Sequence, residues 1–384
     1  MRAAVLVDVG RIEMRDIPRI EPAAHEVVVR VTAVGLCGTD LHIVSGEANY
    51  NRDGAGRARP LREHPQILGH EIAGVVEEVG SDVRDLRAGD AVVVDQGRTC
   101  VSELRHPLCE YCTSGDSHQC EFYREHGITG LPGGFAEFVT VGARNCVSFS
   151  SGLSPEHAAL TEPLGCIVHS VEATQRSAAR YGLGVAGRAR RAKTVLVCGG
   201  GTAGLLFVQY LRRVVAFDGT LLVSEPDAMK RCLAERFGAE TIDPSSGCLE
   251  EEIADRTGGL RADLLVEASG AGEVVRAMPG LIRKQATVLL YGHGHAGVDL
   301  SVMNHVQFLE PTLVSPVGAS GGHADDGRPL TYQRALGLLE LGVVDVTPLI
   351  THRYSLDRLP SAFAGEHRLP GYVKGVVIPT MEAQ

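Results

Sequence analysis

A glycine-rich turn placed between an apolar strand and an amphipathic helix restricts the possible folds of this chain more than any other segment. Gly199, Gly201 and Gly204 form the pattern G-x-G-x-x-G, which follows the apolar run KTVLVC and leads into the helical stretch GLLFVQYLRR. The first glycine permits a tight turn, the second lets the backbone approach a pyrophosphate, and the third allows close packing of helix on strand. We therefore predict a dinucleotide site in which the helix N-terminus, with Thr202 and Ala203, faces the phosphates.

The pattern of predicted secondary structure changes near residue 190. After this point nearly all-apolar strands such as GTLLVSE and ADLLVEASG are separated by amphipathic helices, which predicts a parallel sheet covered on both faces. Before about residue 165, short runs such as EVVVRVTAV and IAGVVEEVG are split by Gly, Pro and Asp, which is typical of an irregular β-rich domain. A chain of 384 residues also exceeds the usual limit of ~250–300 residues for a single core, so we expect two domains.

An acidic residue closes the strand that follows the glycine motif. Glu225 ends GTLLVSE, about 20 residues beyond Gly204, where a carboxylate accepts hydrogen bonds from the adenosine ribose hydroxyls. This position predicts NAD rather than NADP, because the extra phosphate of NADP would meet a negative charge. Lys230 and Arg231 leave NADP open, since either could screen Glu225 or reach a phosphate. Lys230 is included among the predicted cofactor contacts.

Two sets of potential metal ligands occur before the parallel-sheet region. Cys37, His70, Glu71 and Glu162, in the segments CGTDLH, LGHE and TEPLGC, can together supply the ligands of one ion. Catalytic zinc is held by a few N, S or O side chains with one position open, so this set predicts Lewis-acid chemistry. Four thiolates in the pattern C-x8-C-x2-C-x7-C fill a tetrahedron and predict a structural zinc; they are Cys100, Cys109, Cys112 and Cys120.

Charge and composition narrow the class of partner. A net charge of −10 argues against a nucleic-acid partner, for which a basic patch is expected. No stretch approaches ~18 unbroken apolar residues, and the start MRAAVLVDVG lacks the apolar core of a signal peptide. The tight cysteine spacing is typical of metal binding in a reducing compartment. We therefore expect a cytoplasmic protein with a small-molecule ligand and no membrane partner.

Together these motifs resemble those of the zinc-dependent medium-chain dehydrogenase/reductase family, the alcohol dehydrogenase group. The resemblance runs over nearly the whole chain, through GLCGTDLH, LGHEIAGVVEEVG, the cysteine pattern, GGFAEFV, TEPLG, the glycine motif, EASG and VKGVVIP. The sequences EPLG-x2-VH and FYREHGI resemble the threonine, polyol and glucose dehydrogenase branch. The resemblance implies an α/β protein with a GroES-like β-rich catalytic domain, residues 1–163 and 319–384, and a Rossmann doubly wound parallel-sheet coenzyme domain, residues 164–318. It also implies a homo-oligomer, a dimer or tetramer.

The resemblance assigns roles to the first set of metal ligands. Cys37 and His70 would bind zinc, and Glu162 would take the third protein position. Glu71 would be a fourth ligand that exchanges as water or substrate binds. Cys166, one helical turn after Glu162, is an alternative ligand. The other set departs from the family pattern, because eight residues rather than two separate its first two cysteines. A longer loop closes at little extra entropic cost, so zinc is still expected there, and an empty reduced cluster is the alternative.

Further roles concern the proton, the His70 ring and the substrate. Asp40 would orient the His70 imidazole through its second ring nitrogen. In the family a proton passes from the reacting hydroxyl through the Thr39 position, the cofactor ribose and the His42 position. A helix N-cap for Thr39 and an ordinary surface position for His42 stay open. By the same resemblance, substrate hydroxyls would contact Glu125, with Phe122 nearby.

The prediction that follows is a zinc- and NAD-dependent dehydrogenase. Its substrate would be a hydroxyl-rich secondary alcohol such as a sugar, cyclitol or polyol, oxidised reversibly to a ketone. A threonine-type amino alcohol is the alternative substrate. A nicotinamide-binding regulatory protein without catalysis is the alternative of a different class.

Overall fold

The computed structural model describes residues 1–184 and 190–381, which form two compact units. The first unit contains Met1–Gly165, Ala319–Gly342 and the chain from Val346 onward. The second unit contains Cys166–Gly318 and Val343–Asp345. One helix, Thr161–Arg176, contains the point at which the chain passes from the first unit to the second.

Strands supply the main framework of both units. In chain order they are β1 (Arg2–Asp8), β2 (Arg11–Asp16), β3 (Glu26–Gly35), β4 (Glu71–Val79), β5 (Ala91–Val94), β6 (Gly97–Arg98), β7 (Arg124–Glu125), β8 (Phe138–Gly142), β9 (Cys146–Ser148), β10 (Thr194–Cys198), β11 (Thr220–Ser224), β12 (Glu240–Ile242), β13 (Ala262–Glu267), β14 (Ile282–Leu290), β15 (Thr312–Val314), β16 (Ile350–Tyr354) and β17 (Lys374–Val377).

Helices connect most of the strands of the second unit and are short in the first. In chain order they are α1 (Gly38–Ser45), α2 (Glu110–Ser114), α3 (Pro155–Ala159), α4 (Thr161–Arg176), α5 (Thr202–Arg213), α6 (Ala228–Arg236), α7 (Leu249–Arg256), α8 (Gly272–Leu281), α9 (Val302–Gln307), α10 (Leu330–Glu340) and α11 (Leu359–Phe363).

The second unit is built on a six-stranded parallel sheet in the order β12-β11-β10-β13-β14-β15. Its central strands β10 and β13 are buried along their whole length, which explains why they read as continuous apolar runs. The strand order reverses between β10 and β13, and ligands of such sheets bind at the carboxyl ends of the strands on either side of this point. The predicted Rossmann-type sheet is confirmed.

The first unit is β-rich, as predicted, and its largest sheet has seven strands. They follow the order β16-β17-β3-β4-β5-β9, with β8 also paired to β3. Most pairs are antiparallel, and β3 shows the partial alternation of buried and half-buried residues expected of a sheet packed on an apolar core. The small sheets β1-β2 and β6-β7 complete the unit. The pairing of β3 with β4 positions the site described below.

Candidate active site

The register of two neighbouring strands brings three predicted ligands together. Gly35, the last residue of β3, pairs with Glu71, the first residue of β4. Cys37 follows Gly35 by two positions and His70 directly precedes Glu71, so their side chains start from the same edge of the sheet. One ligand atom from each of Cys37, His70 and Glu71 lies within 4.8 Å of the others. His70 and Glu71 are 2% and 0% exposed.

Gly35 is required by this close approach. A Cβ atom added at Gly35 would lie 1.8 Å from Glu71 Oε2. Any side chain at this position would therefore push the Glu71 carboxylate away from Cys37 and His70. The glycine is part of the site although it carries no ligand atom.

Asp40 links the cysteine to the histidine. Its Oδ2 accepts a hydrogen bond of 3.0 Å from the backbone N–H of Cys37, and its Oδ1 accepts one of 3.2 Å from that of Gly69. Asp40 Oδ1 also lies 3.4 Å from His70 Nδ1. The carboxylate is therefore placed where it can orient the imidazole, as predicted for a carboxylate behind a metal-bound histidine.

The buried lysine Lys374 was not predicted as part of the site. Its Nζ donates to Glu71 Oε1 over 2.5 Å, and the residue is 3% exposed. Burial by itself lowers the pKa of Lys374, but the charges of Glu71, Cys37 and Glu162 raise it above its ordinary value. The lysine thus remains charged and offsets part of the negative charge of the cluster.

The cluster fits a zinc ion. It combines thiol, imidazole and carboxylate donors, which are the ligand types of catalytic zinc. Glu71 Oε2 is buried and has no hydrogen-bond partner. Buried polar atoms without a partner are costly, and a bound cation that uses the free carboxylate oxygen would remove part of that cost. These residues are the catalytic metal site expected from the sequence.

Glu162 approaches the same region from α4. It is 6% exposed, and its Oε1 accepts a hydrogen bond of 3.0 Å from Gln96 Nε2. Neither Glu162 nor Cys166 belongs to the group whose ligand atoms lie within 4.8 Å of one another. Glu162 is nevertheless close enough for its charge to act on Lys374. Both the role of Glu162 as a third ligand and the alternative of Cys166 stay predictions.

Thr39 and His42 lie on α1, directly after Cys37. The N-cap of α1 is Cys37, so the alternative reading of Thr39 as a helix N-cap is wrong. Thr39 Oγ1 instead accepts a contact of 3.7 Å from Cys37 Sγ. His42 Nδ1 lies 2.6 Å from Glu47 Oε2, and both residues line an open cavity of about 390 Å³. This placement is compatible with proton transfer between the site and solvent, which stays a prediction for Thr39 and His42.

The four remaining ligand cysteines form a second cluster. Their sulfur atoms lie within 4.8 Å of one another and all four residues are buried, with Cys100 and Cys109 at 3.6 and 3.8 Å from Cys120. The insertion between the first two cysteines folds back on itself, because the backbone N–H of Arg105 donates to Cys100 O over 2.8 Å. The long spacing therefore does not prevent the tetrahedral set of thiols that a structural zinc requires. The cluster is completed by Cys112.

Backbone donors favour the thiolate form of one cysteine of this cluster, Cys109, whereas burial raises the pKa of Cys112 and of Cys120. Burial opposes ionisation of Cys109, but backbone N–H groups of Cys112 and Glu121 lower its pKa to about 7. Zinc binds the thiolate rather than the thiol, so Cys109 is the one of these three cysteines that ionises most readily for the metal.

The glycine motif has the predicted geometry. Gly199 has a φ of +102°, which side-chain-bearing residues rarely adopt, and it forms the turn after β10. A Cβ atom added at Gly204 would lie 1.9 Å from Gly199 O, so only glycine allows α5 to approach the strand this closely. Gly201 is the N-cap of α5, and the helix opens with Thr202 and Ala203.

Glu225 contacts the same turn. Its Oε2 accepts a hydrogen bond of 2.6 Å from the backbone N–H of Gly200. The Arg231 guanidinium is already engaged within the protein. It donates to the carbonyl oxygens of Glu225 and Pro226 and lies 2.9 Å from Asp243 Oδ2. Lys230, in the first turn of α6, is partly buried. Of the two basic residues that left NADP open, only Lys230 keeps that possibility.

The predicted substrate residues lie on and beside β7. Glu125 Oε1 accepts a hydrogen bond of 3.0 Å from Tyr123 Oη. The Phe122 ring is half exposed, and its contact is the Arg105 guanidinium, 4.4 Å from the ring centroid. Substrate contact by either residue stays a prediction, and the surroundings of Glu125 are the more polar of the two.

Tyr50 is a further neighbour that the sequence analysis missed. Burial raises its pKa first, and the charges of Glu125 and Cys37 raise it further, so this hydroxyl lies within electrostatic reach of both groups. The residue sits in a loop rich in Gly, Arg and Asn, where nothing in the local pattern indicates a contact with a site.

For Lys374 the sequence does contain a signal, because a lysine within the apolar run VKGVVIP is unusual.

Comparisons with known proteins agree with this geometry. Residues 23–151 match the family model described as the alcohol dehydrogenase GroES-like domain, and residues 203–339 match the one described as zinc-binding dehydrogenase. An L-threonine 3-dehydrogenase from Pyrococcus furiosus is 32% identical over 350 residues, which are 91% of this chain and 89% of that protein. A sorbitol dehydrogenase from Halalkalibacterium halodurans is 27% identical over 361 residues, 92% of each protein.

A solved structure is similar to this protein over nearly its whole length. A zinc-binding dehydrogenase from Sinorhizobium meliloti, bound to NADP, matches with a TM-score of 0.78 at 31% identity, covering 98% of this chain and 99% of that one. None of the helices within residues 1–184 and 190–381 has the length and apolar character that crossing a bilayer requires.

Proposed function

The chain belongs to the zinc-dependent alcohol dehydrogenase family of medium-chain dehydrogenases, and from that premise we propose that it oxidises a hydroxyl-rich secondary alcohol to a ketone with NAD. The observation that carries the proposal is that one ligand atom each of Cys37 and of the buried residues His70 and Glu71 lie within 4.8 Å of one another. A sugar, cyclitol or polyol is the substrate class, in line with the sorbitol dehydrogenase among its relatives. We expect a homo-oligomer in solution.

The residues of the site have separate tasks. Zinc held by Cys37 and His70, with Glu162 as the proposed third ligand, would supply Lewis-acid chemistry that lowers the pKa of a bound hydroxyl. Asp40 orients the His70 ring from behind. Lys374 holds Glu71 by one oxygen, so that Glu71 can act as the exchangeable ligand with the other.

The proton released by the alcohol needs acceptors outside the metal site. Thr39 Oγ1 lies beside Cys37 Sγ and is the first hydroxyl available to hold this proton. In a neutral His42 ring, Glu47 holds Nδ1 as the donor, which leaves Nε2 as the nitrogen that accepts a proton. Glu47 is largely exposed, so a proton that reaches this pair can pass to water.

Glu125 supports the choice of a hydroxylated substrate. Its carboxylate is oriented by Tyr123 Oη, and its backbone N–H donates to Thr129 Oγ1 over 2.6 Å. An ionised carboxylate only accepts hydrogen bonds, which suits neighbouring hydroxyl groups of a polyol. The charges of Glu125 and Cys37 both raise the pKa of Tyr50, whose hydroxyl can supply a further donor.

Glu225 supports NAD as the cofactor. Its carboxylate is fixed at the glycine turn, and Arg231 is engaged by carbonyl oxygens and Asp243. We expect kcat/KM with NAD to exceed that with NADP by on the order of 10²-fold, because a buried carboxylate repels the extra phosphate. A clear preference for NADP, the cofactor bound in the Sinorhizobium structure, would contradict this assignment.

A threonine-type amino alcohol is the second candidate, favoured by the 32% identity to an L-threonine 3-dehydrogenase. The two candidates separate in one screen, in which sorbitol, myo-inositol, D-glucose and L-threonine are offered with NAD and NADP and reduced nicotinamide is followed by absorbance. Turnover of the polyols or sugars supports the first candidate, and turnover of L-threonine alone replaces it by the second.

The metal site is tested by substitution in the active protein. We expect Cys37→Ser and Glu162→Ala to abolish substrate-dependent NADH formation, with binding of NAD retained by the second unit. Cys146→Ser is the matched control, because this buried cysteine lies in the same unit and outside both clusters. Unchanged activity in both site variants would refute the mechanism. The non-catalytic alternative predicts bound cofactor with no zinc at Cys37.

A further inference from the structure

Glu162 lies at the end of a chain of buried hydrogen bonds. Gln96 Nε2 donates to Glu162 Oε1 over 3.0 Å, and Tyr332 Oη donates to Gln96 Oε1 over 2.5 Å. Gln96 and Tyr332 are 1% and 0% exposed. Because water has little access to these groups, losing one partner leaves a buried polar atom unsatisfied.

The chemistry of the chain orients the amide in one way. A carboxylate can only accept, so the NH₂ end of Gln96 must face Glu162. A hydroxyl can donate to the opposite, carbonyl end, and Tyr332 does so. Tyr332 therefore prevents the amide of Gln96 from turning over, which would place its oxygen against the Glu162 carboxylate.

The two acidic residues of the site are held by different partners. Glu71 is bound by the charged Nζ of Lys374, whereas the partner of Glu162 Oε1 is a neutral amide. A neutral donor fixes the carboxylate without compensating its charge. The contact with Gln96 thus fixes one oxygen of Glu162 without placing a positive charge on that oxygen.

The backbone that carries Gln96 is itself fixed. Asn145 Nδ2 donates to the carbonyl oxygens of Asp95 and Gly97 over 2.8 and 2.7 Å, one on each side of Gln96. The carbonyl of Gln96 accepts from the backbone N–H of His126 over 2.9 Å. The amide is therefore presented by a segment with little freedom to move, as a preorganised site requires.

The helix that carries Tyr332 is anchored at the residue before it. It lies in α10, where the neighbouring Thr331 Oγ1 donates to Ser320 O over 3.0 Å. Ser320 Oγ in turn accepts from the backbone N–H of His118, in the segment that leads to Cys120. The support of Glu162 is thus connected to the four-cysteine loop within the first unit.

We propose that Gln96 and Tyr332 are positioning residues for Glu162: Gln96 holds one carboxylate oxygen and so fixes the direction from which the carboxylate approaches a divalent cation. Gln96 acts on Glu162 directly, and Tyr332 acts only through Gln96. The inference rests on the proposed function, because it takes Glu162 to be a ligand of the catalytic zinc.

The test measures metal binding as well as turnover, with Gln96→Leu and Tyr332→Phe in the full chain. For Gln96→Leu we expect affinity for the catalytic zinc, measured by chelator competition, to fall about 10–100-fold, the usual cost of losing a partner of a ligand. For Tyr332→Phe we expect a smaller loss, roughly 3–10-fold, because the amide stays in place but can turn over. With Co²⁺ in the catalytic site, both variants change the visible absorption bands that report ligand geometry.

Gln66→Leu is the matched control for Gln96→Leu. Gln66 is a buried glutamine of the same unit whose side-chain nitrogen and oxygen have no hydrogen-bond partner. The same substitution there removes an amide without removing a contact to a ligand, so zinc affinity and the cobalt spectrum should match the unsubstituted protein. If Gln96→Leu does not fold, Gln96→Met, which keeps the length of the side chain, provides the same measurement.

A double variant tests the order of the chain. Because Tyr332 is proposed to act through Gln96, Tyr332→Phe should weaken zinc binding no further when Gln96 is already Leu. Additive losses in the double variant would show that Tyr332 acts independently and would overturn that part of the inference.

The outcomes separate this inference from the proposed function. Two zinc ions per chain with unchanged zinc affinity in Gln96→Leu would overturn the inference and leave the function intact. At most one zinc per chain in the unsubstituted protein, with no NADH formed from any substrate, would instead remove the proposed function itself.

Discussion

The two metal clusters of the first unit are built in opposite ways. The four cysteines come from one stretch, residues 100–120, and offer four identical donors. The other cluster depends on the pairing of β3 with β4, offers three different donors, and has a buried lysine at its side. A cluster made from one loop closes that loop and stabilises it. A cluster made from separate strands derives its reactivity from groups that no local spacing predicts.

The largest effect expected from this contrast is on catalysis. His70→Asn should lower kcat/KM by on the order of 10³-fold or more, because the hydroxyl loses its activation by the metal. Zinc content should fall from two ions per chain to one, since the cysteine cluster keeps its own ion. Steady-state kinetics and elemental analysis check both values, with His64→Asn on the preceding loop as the control. Loss of both ions would show that the two clusters are not independent.

A substitution in the four-cysteine cluster should instead lower stability. Cys112→Ser removes one of the four thiolates, and loss of the structural metal should lower the free energy of unfolding by about 4 kcal/mol. Activity per folded molecule should change little at low temperature, because the first cluster is intact. Denaturant unfolding followed by circular dichroism measures the loss. A fall in kcat at full stability would mean that the cysteine loop takes part in catalysis.

Substitution of Lys374 should reveal how much its contribution to stability depends on the metal. In zinc-free protein, Lys374→Met leaves the buried carboxylate of Glu71 without a positive partner, which should cost about 3 kcal/mol of stability. In zinc-saturated protein the cost should fall below about 1 kcal/mol, because the cation then faces the carboxylate. Lys284→Met, at an exposed position, is the control. An equal loss with and without zinc would show that Glu71 does not sense the metal.

The smallest effect near neutral pH concerns His126, which directly follows the predicted substrate residue Glu125. Burial lowers the pKa of His126 from its ordinary value of 6.5 to about 4, and its Nδ1 lies 2.9 Å from Pro132 O. The unfolded chain binds a proton here before the folded chain does, so stability is lost as pH falls from 6.5 to about 4. The contribution is at most about 1.4 kcal/mol per pH unit. Subtracting the pH dependence of unfolding of His126→Phe from that of the unsubstituted protein isolates it, and identical curves would contradict the assignment.

Features that depend on local pattern were predicted well. The parallel sheet follows from all-apolar strands alternating with helices, and the turn at Gly199 follows from a backbone angle that favours glycine. The four cysteines were predicted as one site in spite of their unusual spacing, because thiolates in a short stretch have few other structures available.

Features that depend on packing were not predicted from the sequence. The family resemblance pointed to Glu71 as an exchangeable ligand, but its partner Lys374 lies 303 residues further along the chain. Tyr332 and Gln96 are separated by 236 residues, and neither belongs to a motif. The surroundings of Phe122 could not be predicted either, since its contact with Arg105 depends on how the cysteine loop folds.

The amino-acid sequence by itself determined the two kinds of domain, the glycine turn and the chemical types of both metal sites, because apolar periodicity, glycine geometry and ligand chemistry act over a few residues. Only the tertiary structure decided which atoms meet: the lysine that holds Glu71, and the amide and hydroxyl that hold Glu162. These contacts arise where strands and helices from distant parts of the chain pack together. Packing depends on the shape of the whole unit, so no local pattern contains them.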